Sequence, residues 1–369
     1  MAIELSSLTF TDRADVIPAS GVEQILNTGI ANTLAGNDKI TGDTGNSISS
    51  LENKLSGVSN SGTLNTADGN DTISGTGNSI SGTGNSISGI YNSGTLNTGD
   101  GNDIIRGIRN QGEDNFNDFD YDFGYGIYAE TGSTIDTGDG NDLITGISQA
   151  RTGRGIETYY GTIKTGDGND TIAGTGNGYG ISIHYGGIID TGKGNDIITG
   201  VATDYGDGIS NFSTLDTGDG NDTITGTNTT GSGYGINNYF SDSTIDTGDG
   251  NDIITGIGGS GIYNDGIINT GNGADSIIAD GGFKGMGSVF LGNGKDYLKG
   301  FGSGNFNGGN GKDTLELTSG SYTVGISGTA VNFTKGSIIM NTSALEELIA
   351  GSTKYDFSRL TNGQTISVV

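Results

Sequence analysis

One acidic turn, closing in G-x-G-N-D and followed at once by a β-prone segment, returns along most of this chain. Its best copies read TGDGNDIIRG (ending Gly107), TGDGNDLITG (Gly146), TGDGNDTIAG (Gly174), TGKGNDIITG (Gly200), TGDGNDTITG (Gly226) and TGDGNDIITG (Gly256). Looser copies are LAGNDKITG, TADGNDTISG, TGNGADSIIA, LGNGKDYLKG and GGNGKDTLEL. The closing aspartates are Asp38, Asp71, Asp103, Asp142, Asp170, Asp196, Asp222, Asp252, Asp275, Asp296 and Asp313. From first to last is 313 − 38 = 275 residues in ten intervals, a mean of 27.5, with single steps from 17 to 39. One strict position with elastic spacing implies stacked coils, since length can change at loops while one edge stays in register.

Each middle coil carries three short apolar signals. The first is G-x-G-I, as in Gly178-Tyr179-Gly180-Ile181; the second precedes the turn, as in Thr134-Ile135-Asp136; the third follows it, as in Asp142-Leu143-Ile144. All are rich in β-branched residues and bounded by Gly, Asn and Asp, which reads as strands between tight turns. Ile135, Ile144 and Ile181 are expected to point inward. The expected fold is all-β: a right-handed parallel β-solenoid (β-helix or β-roll) with about three strands per coil of about 27 residues. Near the C-terminus LGNGKDYLK, GFGSGNFN and GGNGKDTLE are close to nonapeptides, so the coil narrows to a β-roll of about 18 residues. Only 31% of residues are apolar, which suits a thin stacked core better than several thick ones. Only Thr342–Ile349 carries a helix-like spacing.

The net charge is −27, from 43 acidic and 16 basic residues. That balance excludes nucleic acid, whose phosphates would be repelled, and favours bound cations. Cysteine is absent, so no disulfide staples the coils. Glycines let the turn bend sharply and aim carbonyl oxygens at one point. Aspartate adds a hard carboxylate, and calcium takes six to eight such oxygens. One turn offers part of a shell, so an ion is expected between turns of successive coils. Eleven turns leave at most ten gaps, and ten divalent ions would bring −27 to −7. The alternative is an Asn/Asp ladder that holds the turns by hydrogen bonds alone.

GGNGKDTLE at 308–316 matches G-G-x-G-x-D-x-U-x, with U a large apolar residue. The chain therefore resembles the repeats-in-toxin (RTX) haemolysin-type calcium-binding family, closely over 292–316 and more loosely over 67–279. In the middle copies Thr98, Thr137, Thr165, Thr191, Thr217, Thr247 and Thr270 replace the first glycine, and the turn lies on one edge only. The resemblance implies bound calcium (Ca2+), with the eleven aspartates as side-chain ligands. It also implies one-step type I export, to the extracellular space or the cell surface, on a C-terminal signal. The N-terminus MAIELSSLTFTDRADV, with no basic start and apolar run, fits export without an N-terminal signal peptide. The expected parts are an N-terminal cap at 1–33, the solenoid at 34–317, and a β-rich cap and secretion segment at 318–369, where SYTVGISGTAVNF alternates like a hairpin.

No run approaches the roughly 18 apolar residues of a membrane helix. HExxH and GxSxG do not occur, which excludes a zinc protease or lipase of the usual kind. The expected function is therefore non-enzymatic: a secreted, calcium-bound structural solenoid, able to pair with itself in a layer or filament. The alternative is a polysaccharide-modifying β-helix enzyme or an adhesin module for cell-surface polysaccharide, with His184, Tyr185, Lys164, Arg151 and Arg154 as the groove. The stretch 113–123 sits in the longest step and is expected to protrude as an acidic, aromatic loop.

Overall fold

The computed structural model describes residues 2–18, 23–45, 54–78, 86–110 and 124–369. The stretch 113–123 lies outside them. The described strands form a parallel β-solenoid with three faces. One complete coil shows the order: Arg154–Tyr159 on the first face, Thr162–Lys164 on the second, the acidic turn, then Thr171–Gly176 on the third. The next strand, Tyr179–His184, returns to the first face and pairs in parallel with Arg154–Tyr159.

Strand register stacks the apolar signals into three columns. Ile127, Ile156, Ile181, Ile209 and Ile236 align on the first face. Ile135, Ile163, Ile189, Leu215 and Ile245 align on the second. Ile144, Ile172, Ile198, Ile224 and Ile254 align on the third. All are fully buried, and Ile135, Ile144 and Ile181 point inward as expected. Each buried isoleucine contributes about 1.5–3 kcal/mol of hydrophobic stabilisation.

Glycine sets the thinness of one corner. A Cβ on Gly146, of the third face, would lie 2.2 Å from the carbonyl oxygen of Gly155, of the first. Only a hydrogen fits there, so the two sheets meet backbone to backbone.

The first face shrinks toward the C-terminus. Its last strand is Phe283–Lys284, continued only by a bridge from Phe283 to Gly302. The coils around Asp296 and Asp313 keep the other two faces and pair their turns directly, Asn272 with Asn293 and Asn293 with Asn310.

Both ends are built differently from the middle. Within 1–33, Ala2–Glu4 pairs with Gln24–Asn27 on the first face, Val16–Ile17 with Lys39–Ile40 on the third, and Ile30–Asn32 with Thr63–Asn65 on the second. This segment thus supplies strands to all three faces. At the other end Gly320–Ser327, Ala330–Lys335 and Ile338–Ser343 form an antiparallel meander. Its last strand stacks in parallel on Gly304–Asn307. Thr342–Ile349, expected as helix-like, is instead strand up to Ser343 and again over Glu347–Ala350. Glu347–Ala350 pairs with Thr314–Leu317 and buries Leu348 and Ala350. Joining the sheet outweighs a short local preference.

Candidate metal-binding column

The eleven predicted aspartates form a single buried column. Each ends its turn and sits just before a third-face strand, so strand pairing stacks them one per coil. All are 0–2% exposed. Each Oδ1 accepts the backbone N–H of the aspartate one coil earlier. Asp170 donates to Asp196 at 2.8 Å, Asp196 to Asp222 at 2.8 Å, and Asp296 to Asp313 at 2.9 Å. The other oxygen, Oδ2, is buried without a hydrogen-bond partner in all eleven.

A second donor column faces the first. A Cβ on Gly220 would lie 1.4 Å from the carbonyl oxygen of Gly194 and 3.2 Å from Asp222 Oδ1. The same arrangement recurs at Gly250 with Gly220 and Asp252, at Gly273 with Gly250 and Asp275, and at Gly294 with Gly273 and Asp296. So the glycine carbonyl of one coil and the Oδ1 atom of the next coil's carboxylate both border the same glycine. The second glycine of the turn is required twice over, by this approach and by its positive φ, +157° at Gly220.

The turn threonine stands beside the carboxyl. The Thr165 hydroxyl donates to the Thr191 carbonyl at 3.1 Å and also draws the Asp170 pKa down. One proton cannot serve both, and the carbonyl geometry is the better formed, which leaves Oδ2 unpartnered. The hydroxyls of Thr217 and Thr247 have no carbonyl acceptor; they stand beside Asp222 and Asp252 and draw those pKa values down against the larger effect of burial.

Burial dominates the electrostatics. It pushes Asp71, Asp103, Asp142 and Asp252 up to about 6, and Asp170, Asp222 and Asp296 up to about 7. Asp196, Asp275 and Asp313 are raised as well, for the same first reason. Neighbouring carboxylates in the column add to most of these shifts, as Asp196 and Asp252 do at Asp222.

An outer ladder runs alongside. Asn141, Asn169, Asn195, Asn221 and Asn251 are exposed, and each backbone N–H donates to the asparagine Oδ1 one coil earlier at 2.7–2.9 Å. The hydrogen-bonded Asn/Asp ladder expected as the metal-free alternative is therefore present, and it still leaves the Oδ2 atoms unused.

Would calcium fit? The column offers hard oxygens only, from carboxylates and carbonyls, as that ion prefers. Among the described residues no three His, Cys, Asp or Glu side chains gather at one point. An ion between coils would thus draw on successive Oδ2 atoms and fill its shell with turn carbonyls and water.

Sequence spacing missed both ends of the column. Asp15 donates its N–H to Asp38 Oδ1 at 2.7 Å, and Glu346 accepts the N–H of Asp313 at 2.8 Å. Neither sits in a G-x-G turn. The detectable signal is the apolar residue two positions on, Ile17 and Leu348, each on a third-face strand.

The residues of the alternative groove do not form one cluster. Arg154 is turned onto Glu157, which is 1% exposed, and lies over the Tyr179 ring. Lys164 lies on the second face. His184 packs on Phe212 with ring centroids 4.4 Å apart, and burial pushes its pKa down to about 4.

No protein-family model matches this chain, and a search of curated proteins finds no match.

Proposed function

We propose that this chain is a calcium-binding solenoid of the repeats-in-toxin kind, secreted to the extracellular space or the cell surface and acting there as a non-enzymatic structural element. The observation that carries the reading is the column of eleven buried carboxylates in register, each with an Oδ2 atom that has no hydrogen-bond partner. Seven of these carboxyls have pKa values raised from 3.8 to about 6 or 7. Burial and like-charged neighbours therefore oppose ionising the column, and a divalent cation shared between coils relieves that opposition above neutral pH without breaking the ladder.

Eleven aspartates, Asp38 to Asp313, are the side-chain ligands in this reading. Calcium binding then couples to folding, so the chain zips up where calcium is abundant. A solenoid stapled in this way needs no disulfides. Assembly into a layer is the function this shape suits best, through side-by-side contact, because an antiparallel meander closes the C-terminal end of the stack.

The test is a calcium titration of the chelated protein, followed by far-UV circular dichroism and isothermal calorimetry. Cooperative uptake with a rise in Tm is expected, and magnesium should substitute poorly. If the chelated protein binds no calcium and its Tm does not move, the reading fails.

A further inference from the structure

A row of aromatic side chains runs along the corner between the first and second faces. It is laid down by successive coils: Tyr159 and Tyr160, then His184 and Tyr185, then Phe212, then Tyr239 and Phe240. Tyr160 and Tyr185 are stacked, with centroids 5.9 Å apart and planes at 18°. Phe212 meets Phe240 edge-on at 5.5 Å. Between these two pairs lies an open cleft of about 350 Å3. Ser213 and Asp242 supply polar groups at its rim.

Three features set this patch apart from a packing accident. Its rings lie outside the buried apolar columns: Tyr160 is 50% exposed, Tyr185 48% and Phe240 38%. Tyr160 and Tyr185 also take positive φ, 52° and 48°. A bulky residue in that region is strained by roughly 1 kcal/mol or more, and such strain persists where the side chain is needed. The corresponding corner of other coils carries small residues, Ser61-Gly62 and Ser93-Gly94.

We infer that this cleft binds a neutral polysaccharide, with pyranose rings stacked on Tyr160, Tyr185 and Phe240 and hydroxyls bonded by Asp242 and Ser213. Flat, half-exposed rings match the C–H face of a pyranose, and a carboxylate and a hydroxyl at the rim match its equatorial hydroxyls. Coils repeat about every 4.8 Å, so rings on four successive coils span the length of a short oligosaccharide. The net charge of −27 disfavours an anionic glycan and an acidic lipid surface alike. The site is independent of the aspartate column, which lies on another edge of the coil.

The test uses the full chain with calcium present and a panel of hexasaccharides: cellohexaose, xylohexaose, mannohexaose, chitohexaose and maltohexaose, with hexagalacturonate as the anionic control. Binding is read by calorimetry and tyrosine fluorescence. The key variant is Tyr160→Gly with Tyr185→Gly, because glycine accepts the positive φ and so keeps the fold. At least one neutral sugar should bind. The double variant should lose affinity about tenfold or more at unchanged Tm, and Asp242→Asn should lose less. The inference is overturned if no neutral sugar binds, if hexagalacturonate binds best, or if the double variant binds as wild type. It is also overturned if sedimentation shows a wild-type dimer that the double variant loses, since the patch is then a contact between copies.

Discussion

Replacing one aspartate of the column by asparagine separates a charge that needs neutralising from a mere hydrogen-bond acceptor. Asp222 is the best position. It is 1% exposed, accepts the Asp196 N–H at 2.8 Å through Oδ1, and has an unpartnered Oδ2. Burial raises its pKa from 3.8 to about 7, with Asp196 and Asp252 adding like charge. Asparagine keeps the Oδ1 acceptor and puts an NH2 group where Oδ2 stands, beside the Thr217 hydroxyl, whose oxygen can accept from it. A rise of about three units means that ionising Asp222 in the folded state costs about 4 kcal/mol. Neighbouring carboxyls share the remaining protons, so about 2–4 kcal/mol is the expected gain for Asp222→Asn in chelator at about pH 8. The sign follows from the raised folded pKa. Stability from this group is complete below the unfolded pKa and lost as pH rises through about 7, so variant and wild type should converge as pH falls toward 4. In saturating calcium the order should reverse, since the variant lacks a charged ligand. Thermal unfolding followed by circular dichroism, in chelator and in calcium at several pH values, reads all of this. Should Asp222→Asn destabilise the chelated protein at about pH 8, or should calcium raise both Tm values equally, the reasoning is refuted.

The wild-type protein in chelator should lose Tm as pH rises from about 4 through 7, because seven column carboxyls have folded pKa values near 6 or 7; excess calcium should flatten that profile. Gly146→Ala puts a Cβ 2.2 Å from the Gly155 carbonyl oxygen and should cost about 3 kcal/mol or more in urea unfolding. The His184 ring, held to a pKa of about 4 by burial among aromatics, should show no NMR titration between about pH 5 and 8, and its contribution to stability should fall only as pH drops from about 6.5 toward 4.

The fold was legible because period and register say the same thing. A strict Asp fixed one edge of every coil, and an apolar residue two positions later fixed which face turned inward; Ile144, Ile172 and Ile198 stack accordingly. The site was legible as residues but not as geometry. Nothing in G-x-G-N-D says that one carboxylate oxygen is spent on the preceding coil's N–H while the other is buried without a partner. That division depends on contacts between residues about 26 positions apart. The aromatic corner was only partly legible for a related reason. His184 and Tyr185 stood among the groove candidates, but Tyr160, Phe212 and Phe240 lie in loops of different length with no shared motif, so only stacking brings them together. The helix-like spacing of Thr342–Ile349 misled because a short apolar run fits either period, and the exposed edge of Thr314–Leu317 decided for a strand.

The ladder also has a direction, and this gives the C-terminal segment a definite role. Every turn amide in the column is bonded by a carboxylate from the following coil, never the preceding one: Asp15 by Asp38, Asp38 by Asp71, and so on to Asp296 by Asp313. The acceptor for Asp313 must then come from beyond the last turn, and Glu346 supplies it at 2.8 Å. The segment after the repeats thus finishes the column rather than merely covering it. Glu346→Ala removes the acceptor and leaves a largely buried amide unbonded, at about 1–3 kcal/mol. Glu346→Gln keeps an acceptor and removes a like charge beside Asp313, so it should be neutral or slightly stabilising. Hydrogen exchange resolves the two. The Asp313 amide should exchange faster in Glu346→Ala than in wild type, with a smaller effect at Asp296 and none by Asp196, while Glu346→Gln should match wild type throughout. If Glu346→Ala leaves the Asp313 amide as protected as before, the column ends at Asp313, and the segment beyond it contributes only through strand pairing over Glu347–Ala350.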